Sequence, residues 1–312
     1  MRLSPIAMIL AGAIAALPAA AETFTFAAMG DTPYRLPGDM KKFDRLIDRI
    51  NSDRPAFSIH VGDIKSGGTP CTDAAFQAIH DRFMRIEGAI FYTPGDNEWT
   101  DCHRRKAGEF DPRERLAKLR RMFFAEARSL GRNPLNVARQ ADEGQHAQMV
   151  ENAIWRHRDV VFATVHVVGS NNGLERNAAS VAEYELRDRA NIDWLKRAFR
   201  EAHDAEARAM VIAIHADPLF EVEKPWDYQN SGFKATLRAL AEGAKNFERP
   251  VLLIHGDSHE LIIDKPLRDQ DGKRVQNVTR LEVMGGNDVG AVFVTVDTKA
   301  TPPWAFNPVV IE

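Results

Sequence analysis

The chain has 312 residues, 44% hydrophobic and 27% charged, with a net charge of −3. That length can bury a sizeable core, and the composition excludes both a disordered chain and a membrane bundle. The slight acidity offers no electrostatic footprint for nucleic acid, so no such partner is expected, and basic runs such as Arg104-Arg105-Lys106 read as solvated faces.

The first segment joins Arg2, an apolar run from Ile6 to Leu17 and the small residues Ala19-Ala20-Ala21. This is the pattern of a secretory signal peptide over residues 1–21, with an uncleaved N-terminal anchor as the alternative. No later run reaches transmembrane length. A periplasmic or secreted chain without a membrane span after cleavage is therefore expected.

Residues 23–29 alternate as a strand and run into Gly30-Asp31. Met40, Phe43, Leu46, Ile47 and Ile50 then recur at helical spacing, and Ala56 to Val61 reads as a buried strand ending at Gly62-Asp63. Thr72-Asp73 opens a second helix, with its apolar face between Phe76 and Ile86, and Ile90 to Thr93 is a third strand. That strand breaks into Pro94-Gly95-Asp96-Asn97-Glu98. Alternation of strands and helices predicts a largely parallel sheet here.

The stretch from Thr100 to Gly144 carries a helix over about residues 113–127 and reads as a lid or side wall. Residues 147–156 and 160–168 are β-prone and suggest an antiparallel hairpin around Arg156-His157-Arg158-Asp159, closed off by Gly169 to Gly173. A long helix over 182–203 leads into a strand, 209–214, and then His215. Asp217-Pro218 breaks the chain before an irregular stretch and a helix over 233–247. Val251 to Ile254 is the last strand preceding polar clusters, and the runs 261–263, 279–284, 291–296 and 309–311 suggest an antiparallel meander. There is no internal repeat or linker, so residues 22–312 are expected to form one domain.

Cys71 and Cys102 are the only cysteines, each a few residues beyond an acidic strand end. In an oxidising compartment they would pair and tie the loops after Asp63 and Glu98, contributing on the order of 3 kcal/mol. Free thiols or a soft-metal site are the alternatives.

Five strand ends thus carry Gly30-Asp31, Gly62-Asp63, Gly95-Asp96-Asn97-Glu98, His215 and Gly256-Asp257-Ser258-His259. Any one of these acids alone also fits a turn or helix cap, and either histidine alone fits a satisfied core residue. Ligands of α/β sheets bind at strand ends, and hard oxygen donors with a few imidazoles suit a pair of divalent cations.

In order and spacing these clusters resemble the calcineurin-like metallophosphoesterase superfamily, whose pattern is Asp-x-His, Gly-Asp, Gly-Asn-His-Asp/Glu, a lone His and Gly-His-x-His. The resemblance implies an α/β fold, a four-layer sandwich of two mixed β-sheets flanked by helices. It implies that Asp63 bridges two cations, with Asp31 and His259 on the first and Asp96, His215 and Asp257 on the second. Hydroxide held between the cations would attack a phosphate ester.

This sequence departs from the pattern at four places. Pro33 stands for the first histidine and cannot ligate, Asp96 for the asparagine, Asn97 for the histidine that assists the leaving group, and Asp257 for a histidine ligand. The shift toward carboxylates favours harder cations among Mn, Fe, Zn, Mg and Ca. His255, His60 or Tyr34 could fill the vacated ligand position, and His103, His255 or a bound water could protonate a leaving group. Asn97, His103, Arg104 and His255 are accordingly the expected substrate contacts, with Asp63 and Asn97 catalytic. Glu98 is expected to orient a neighbour rather than touch metal, while Lys65, Ser66, Asn171 and Asn172 fit either the site or ordinary turns. The expected function is a secreted or periplasmic metal-dependent phosphoesterase acting on a phosphorylated small molecule. The alternative is a catalytically degenerate domain that binds a phosphorylated or envelope ligand.

Overall fold

In the computed structural model the described residues are 23–174, 176–218 and 231–312. The expected signal peptide, 1–21, lies outside them, as does the irregular stretch 219–230.

Strand β1 (Phe24–Met29) leads to helix α1 (Gly38–Asp53), β2 (Phe57–His60), α2 (Asp73–Phe83) and β3 (Ala89–Tyr92). Helix α3 (Pro112–Phe123) is followed by the short strands β4 (Leu130–Gly131) and β5 (Ala138–Arg139), then β6 (Ala153–His157) and β7 (Val160–Thr164). The chain continues through α4 (Ala178–Asp204), β8 (Ala209–Ala213), α5 (Lys234–Phe247), β9 (Val251–His255), β10 (Ile262–Asp264), β11 (Val278–Glu282), β12 (Gly290–Val296) and β13 (Trp304–Val310).

These strands form two mixed sheets. One has the order β13-β12-β1-β2-β3-β4, the other β10-β11-β9-β8-β7-β6-β5. The period-two alternation explains the layering, because each strand divides its side chains between two faces. Phe24, Phe26 and Ala28 of β1 join Val211 and Ala213 of β8 in the core between the sheets, where Phe91 stacks on Trp155 with ring centroids 3.6 Å apart. Ala27 and Met29 face the other way, onto Phe43 and Ile47 of α1 and Phe76 of α2. Met210 and Ile212 likewise meet Trp194 of α4 and Leu237 of α5. The result is helices, sheet, sheet, helices, the four-layer sandwich expected.

The hairpin is present as antiparallel β6 and β7, but its first strand starts at Ala153 rather than near residue 147. The C-terminal runs form two antiparallel pairs, β10 with β11 and β12 with β13, in different sheets rather than one meander. Strand β11 runs parallel to β9 in the second sheet, whereas β12 and β13 cross to the first and pair antiparallel with β1 and each other. Alternation identifies a strand but not its neighbour, and the partners β9 of β11 and β1 of β12 are not the adjacent strands in sequence. Cys71 and Cys102 are joined in a disulfide with their Cα atoms 5.8 Å apart. No helix among the described residues is long and apolar enough to cross a membrane.

Candidate metal centre

The parallel strands β1, β2 and β3 deliver Asp31, Asp63 and Asp96 from the first sheet, and β8 and β9 deliver His215, Asp257 and His259 from the second. Close turns make this possible. Gly62 has φ 100°, and a Cβ there would lie 2.5 Å from the Gly95 backbone nitrogen, so only glycine allows the two turns to nest. Asp31, Asp63, Asp257 and His259 themselves have φ of 51°, 54°, 79° and 70°. Non-glycine residues in the left-handed region are costly and concentrate at functional sites.

Asp31, Asp63 and His259 form one group, and Asp63, Asp96 and His215 another, each with one ligand atom per residue within 4.8 Å of the others. Asp63 is common to both. His215 Nδ1 donates to the Val61 carbonyl at 2.8 Å, which turns Nε2 toward Asp96 Oδ1 at 3.0 Å, Asp63 Oδ1 at 3.4 Å and Asp257 Oδ1 at 3.7 Å. Asp257 belongs to neither three-residue group, but its backbone N–H donates to Asp31 Oδ2 at 3.1 Å and so ties the two sheets at this point.

Burial dominates the electrostatics. It pushes Asp31 up to about 8, helped by the charges of Asp257 and Asp96 and opposed by His215. Burial, with Asp96 and Glu98 nearby, also holds Asp63 well above the carboxylate range. At Asp96 the same burial is outweighed by the hydrogen bond and charge of His215, which keep it low. Burial would depress His215, yet Asp63, Asp96, Asp257 and Asp31 together raise it well above its ordinary value. Four carboxylates around one imidazole leave a deficit of positive charge, and divalent cations with oxygen preference fit that deficit.

Around the acids stand further polar groups. The Asn97 backbone N–H donates to Asp63 Oδ1 at 3.0 Å, and its amide to Asp63 Oδ2 and to the Tyr34 hydroxyl at 3.0 Å. Tyr34 donates to Asp63 Oδ2, and its ring meets His259 edge-on at 5.1 Å. Glu98 Oε1 accepts from the backbone of Asp63 at 3.1 Å and Gly95 at 2.6 Å and from the Tyr92 hydroxyl at 2.7 Å, the orienting position expected of it. Arg104 occupies the rim, its Nη1 2.7 Å from Asp101 Oδ2 and its Nη2 3.2 Å from Ser170 Oγ, which is 2.9 Å from Asp96 Oδ2.

Three expectations are corrected. His255 is fully buried, with Nδ1 on the Gly256 carbonyl at 2.9 Å, so it cannot meet a substrate, because β9 extends through it and alternation sends it toward the helix layer. His60 is likewise buried against the rings of Phe83 and Tyr92 and does not fill the vacated ligand position. His103 bonds to the Thr100 carbonyl at 2.7 Å and lines a separate cavity with Arg176. Sequence reasoning did not single out Ser170, which meets Asp96 and Asp101. Lys65, buried beside the acids with Nζ on the Ser66 carbonyl at 3.1 Å, is held below the usual lysine range by that burial.

No family model matches the chain, and no curated protein matches its sequence. Solved structures do. A dimetal phosphatase from Danio rerio is 11% identical with a TM-score of 0.56, covering 92% of this chain and 98% of that one. GAP50, the anchor in the inner membrane complex of Plasmodium, is 13% identical with a TM-score of 0.50, covering 93% and 89%. Purple acid phosphatase PPD1 from yellow lupin (Lupinus luteus) seeds is 9% identical with a TM-score of 0.54, covering 90% of this chain and 51% of that one.

Proposed function

We propose that this chain, which has the calcineurin-like metallophosphoesterase fold, is a metal-dependent phosphoesterase acting on a phosphorylated small molecule. The observation that carries the reading is the sharing of Asp63 between two ligand groups at the rim where both sheets deliver donors.

Asp31, Asp63 and His259 would hold one cation, and Asp63, Asp96 and His215 the other, with Asp257 beside them. Two divalent cations in such a site supply Lewis-acid activation of water and neutralise charge developing at phosphorus. The protein's own groups do the positioning. Glu98 fixes the turn that carries Asp63, Asn97 and Tyr34 present an amide and a phenol beside Asp63, and the Arg104 guanidinium at the rim offers a planar donor pair to a phosphoryl oxygen. The disulfide and the N-terminal segment support a periplasmic or secreted location, and the return of β12 to pair with β1 supports the reading of 22–312 as one domain.

Elemental analysis of purified protein, with a panel of activated phosphomonoesters and diesters in Mn²⁺, Mg²⁺, Zn²⁺ or Ca²⁺, tests the reading. Retained divalent metal and turnover, both lost in Asp63→Asn, are expected; turnover that survives this substitution overturns it.

Asn97 and Pro33 favour a second reading, a catalytically degenerate domain that binds a phosphorylated or envelope ligand. The Asn97 amide is already engaged by Asp63 and Tyr34 and has no proton to give a leaving group. Saturable binding of phosphate compounds without turnover across the panel selects it.

A further inference from the structure

The turn after β9 carries two candidate ligands in a conformation that needs enforcing. Asp257 and His259 have φ of 79° and 70°, which non-glycine residues keep only where their surroundings over-determine them. His259 Nε2 lies 3.6 Å from Asp31 Oδ1, and its ring makes no hydrogen bond among the described residues. The backbone of the turn therefore sets the aim of this imidazole.

Between the two ligands stands Ser258, whose hydroxyl donates to Glu282 Oε1. Glu282 ends β11, which runs parallel to β9 and sets Glu282 level with His255, just before the turn. Alternation along β11 puts Glu282 and Arg280 on the face that carries Val278, toward the helix layer.

A chain of charges holds Glu282 from behind. Arg280 Nη1 is 3.4 Å from Glu282 Oε2, while its Nε and Nη2 each donate to the Asp264 carboxylate at 2.7 Å, a forked pair that fixes the guanidinium. The backbone N–H of Glu260 also favours the Glu282 anion, so this carboxylate attracts groups on both sides of His259. Glu282 is fully buried. Burying a carboxylate is costly, and an apolar side chain of similar volume would pack there at least as well. What Glu282 adds is a fixed acceptor for the Ser258 hydroxyl.

We propose that Glu282 is a positioning residue of the metal centre: through the Ser258 hydroxyl it fixes the turn that aims His259 at the cation held with Asp31 and Asp63. The role rests on the two-cation reading above.

The test is calorimetric titration of the metal-stripped protein with Mn²⁺, in which wild type is expected to show two binding steps. In Ser258→Ala, which leaves the Glu282–Arg280 pair in place, and in Glu282→Ala, one step should weaken about 10- to 100-fold and the other stay within about twofold. Glu282→Gln keeps an acceptor for the hydroxyl and should restore most of the loss. In a His259→Ala background, Glu282→Ala should cost nothing further, because the group it aims is gone. Equal loss in both steps, or full additivity with His259→Ala, shows support of the fold alone and overturns the proposal. No uptake of Mn²⁺ by wild type refutes the two-cation reading instead. The imidazole resonances of His259 in the metal-stripped protein, assigned with His259→Gln, then decide the clamp: they should shift in both Ser258→Ala and Glu282→Ala, and resonances unmoved in both overturn it.

Discussion

Glu98 Oε1 accepts the backbone N–H of Asp63 at 3.1 Å, so the carboxylate shared by both ligand groups is held in place by one that belongs to neither. The same oxygen takes the Gly95 N–H and the Tyr92 hydroxyl. Glu98→Ala leaves three buried donors unsatisfied and should destabilise the protein by about 2–4 kcal/mol in urea unfolding. Metal affinity should fall about 10- to 100-fold. Glu98→Gln keeps an acceptor and should cost much less on both counts.

Cation binding should raise the melting temperature of the metal-stripped protein, because a ligand that binds only the folded state stabilises it by mass action. Asp63→Asn, which removes the donor common to both groups, should abolish that rise in differential scanning fluorimetry. His259→Ala, on the more exposed side of the pair, should weaken but not abolish it.

Tyr34→Phe deletes one hydroxyl that touches both Asp63 and Asn97. A hydrogen bond to a charged group contributes about 1.5–3 kcal/mol, so kcat/KM on an activated phosphoester should drop about tenfold or more. An unchanged value would show that the phenol serves only the resting structure.

The contribution of His60 to stability should fall from near pH 6.5 downward. Burial depresses His60 to about 3 and lowers His166 as well. Below the ordinary histidine value the unfolded chain takes up protons that the folded chain refuses, so stability is lost as pH falls toward about 3 for His60. For His60 the loss at pH 5 is about 2 kcal/mol. His60→Asn keeps an acceptor for the Gly62 N–H but cannot titrate, and urea midpoints at pH 7.5 and 5 should differ less in this variant than in wild type.

The Cys71–Cys102 bridge closes a loop of sequence separation 31 around the Asn97 turn, whose carbonyl lies 3.5 Å from Cys71 Sγ. Replacing both cysteines by serine should lower stability by about 3 kcal/mol and loosen Asn97 and Arg104 together. The checks are urea unfolding and the KM for phosphoester.

The acidic strand ends were legible because each joins an apolar run to a turn residue, a local signal that survives in one dimension. Asp31, Asp63, Asp96, His215, Asp257 and His259 converge as that signal suggested. His255 and His60 misled for the opposite reason: each reads as a polar end, but its strand includes it and the alternation turns it inward. Ser170 meets Asp96 across 74 residues, and the pairing of β11 with β9 is likewise tertiary. Neither leaves a periodic trace.

The donors of the centre come in equal parts from two sheets whose facing layers are filled by apolar side chains without direction, such as Phe26, Phe162 and Leu252. Apolar layers of that kind resist separation far better than they resist sliding. A cation gripped from both sides would act as a rivet against shear, so chelation should first release the alignment of the layers and only then their adhesion.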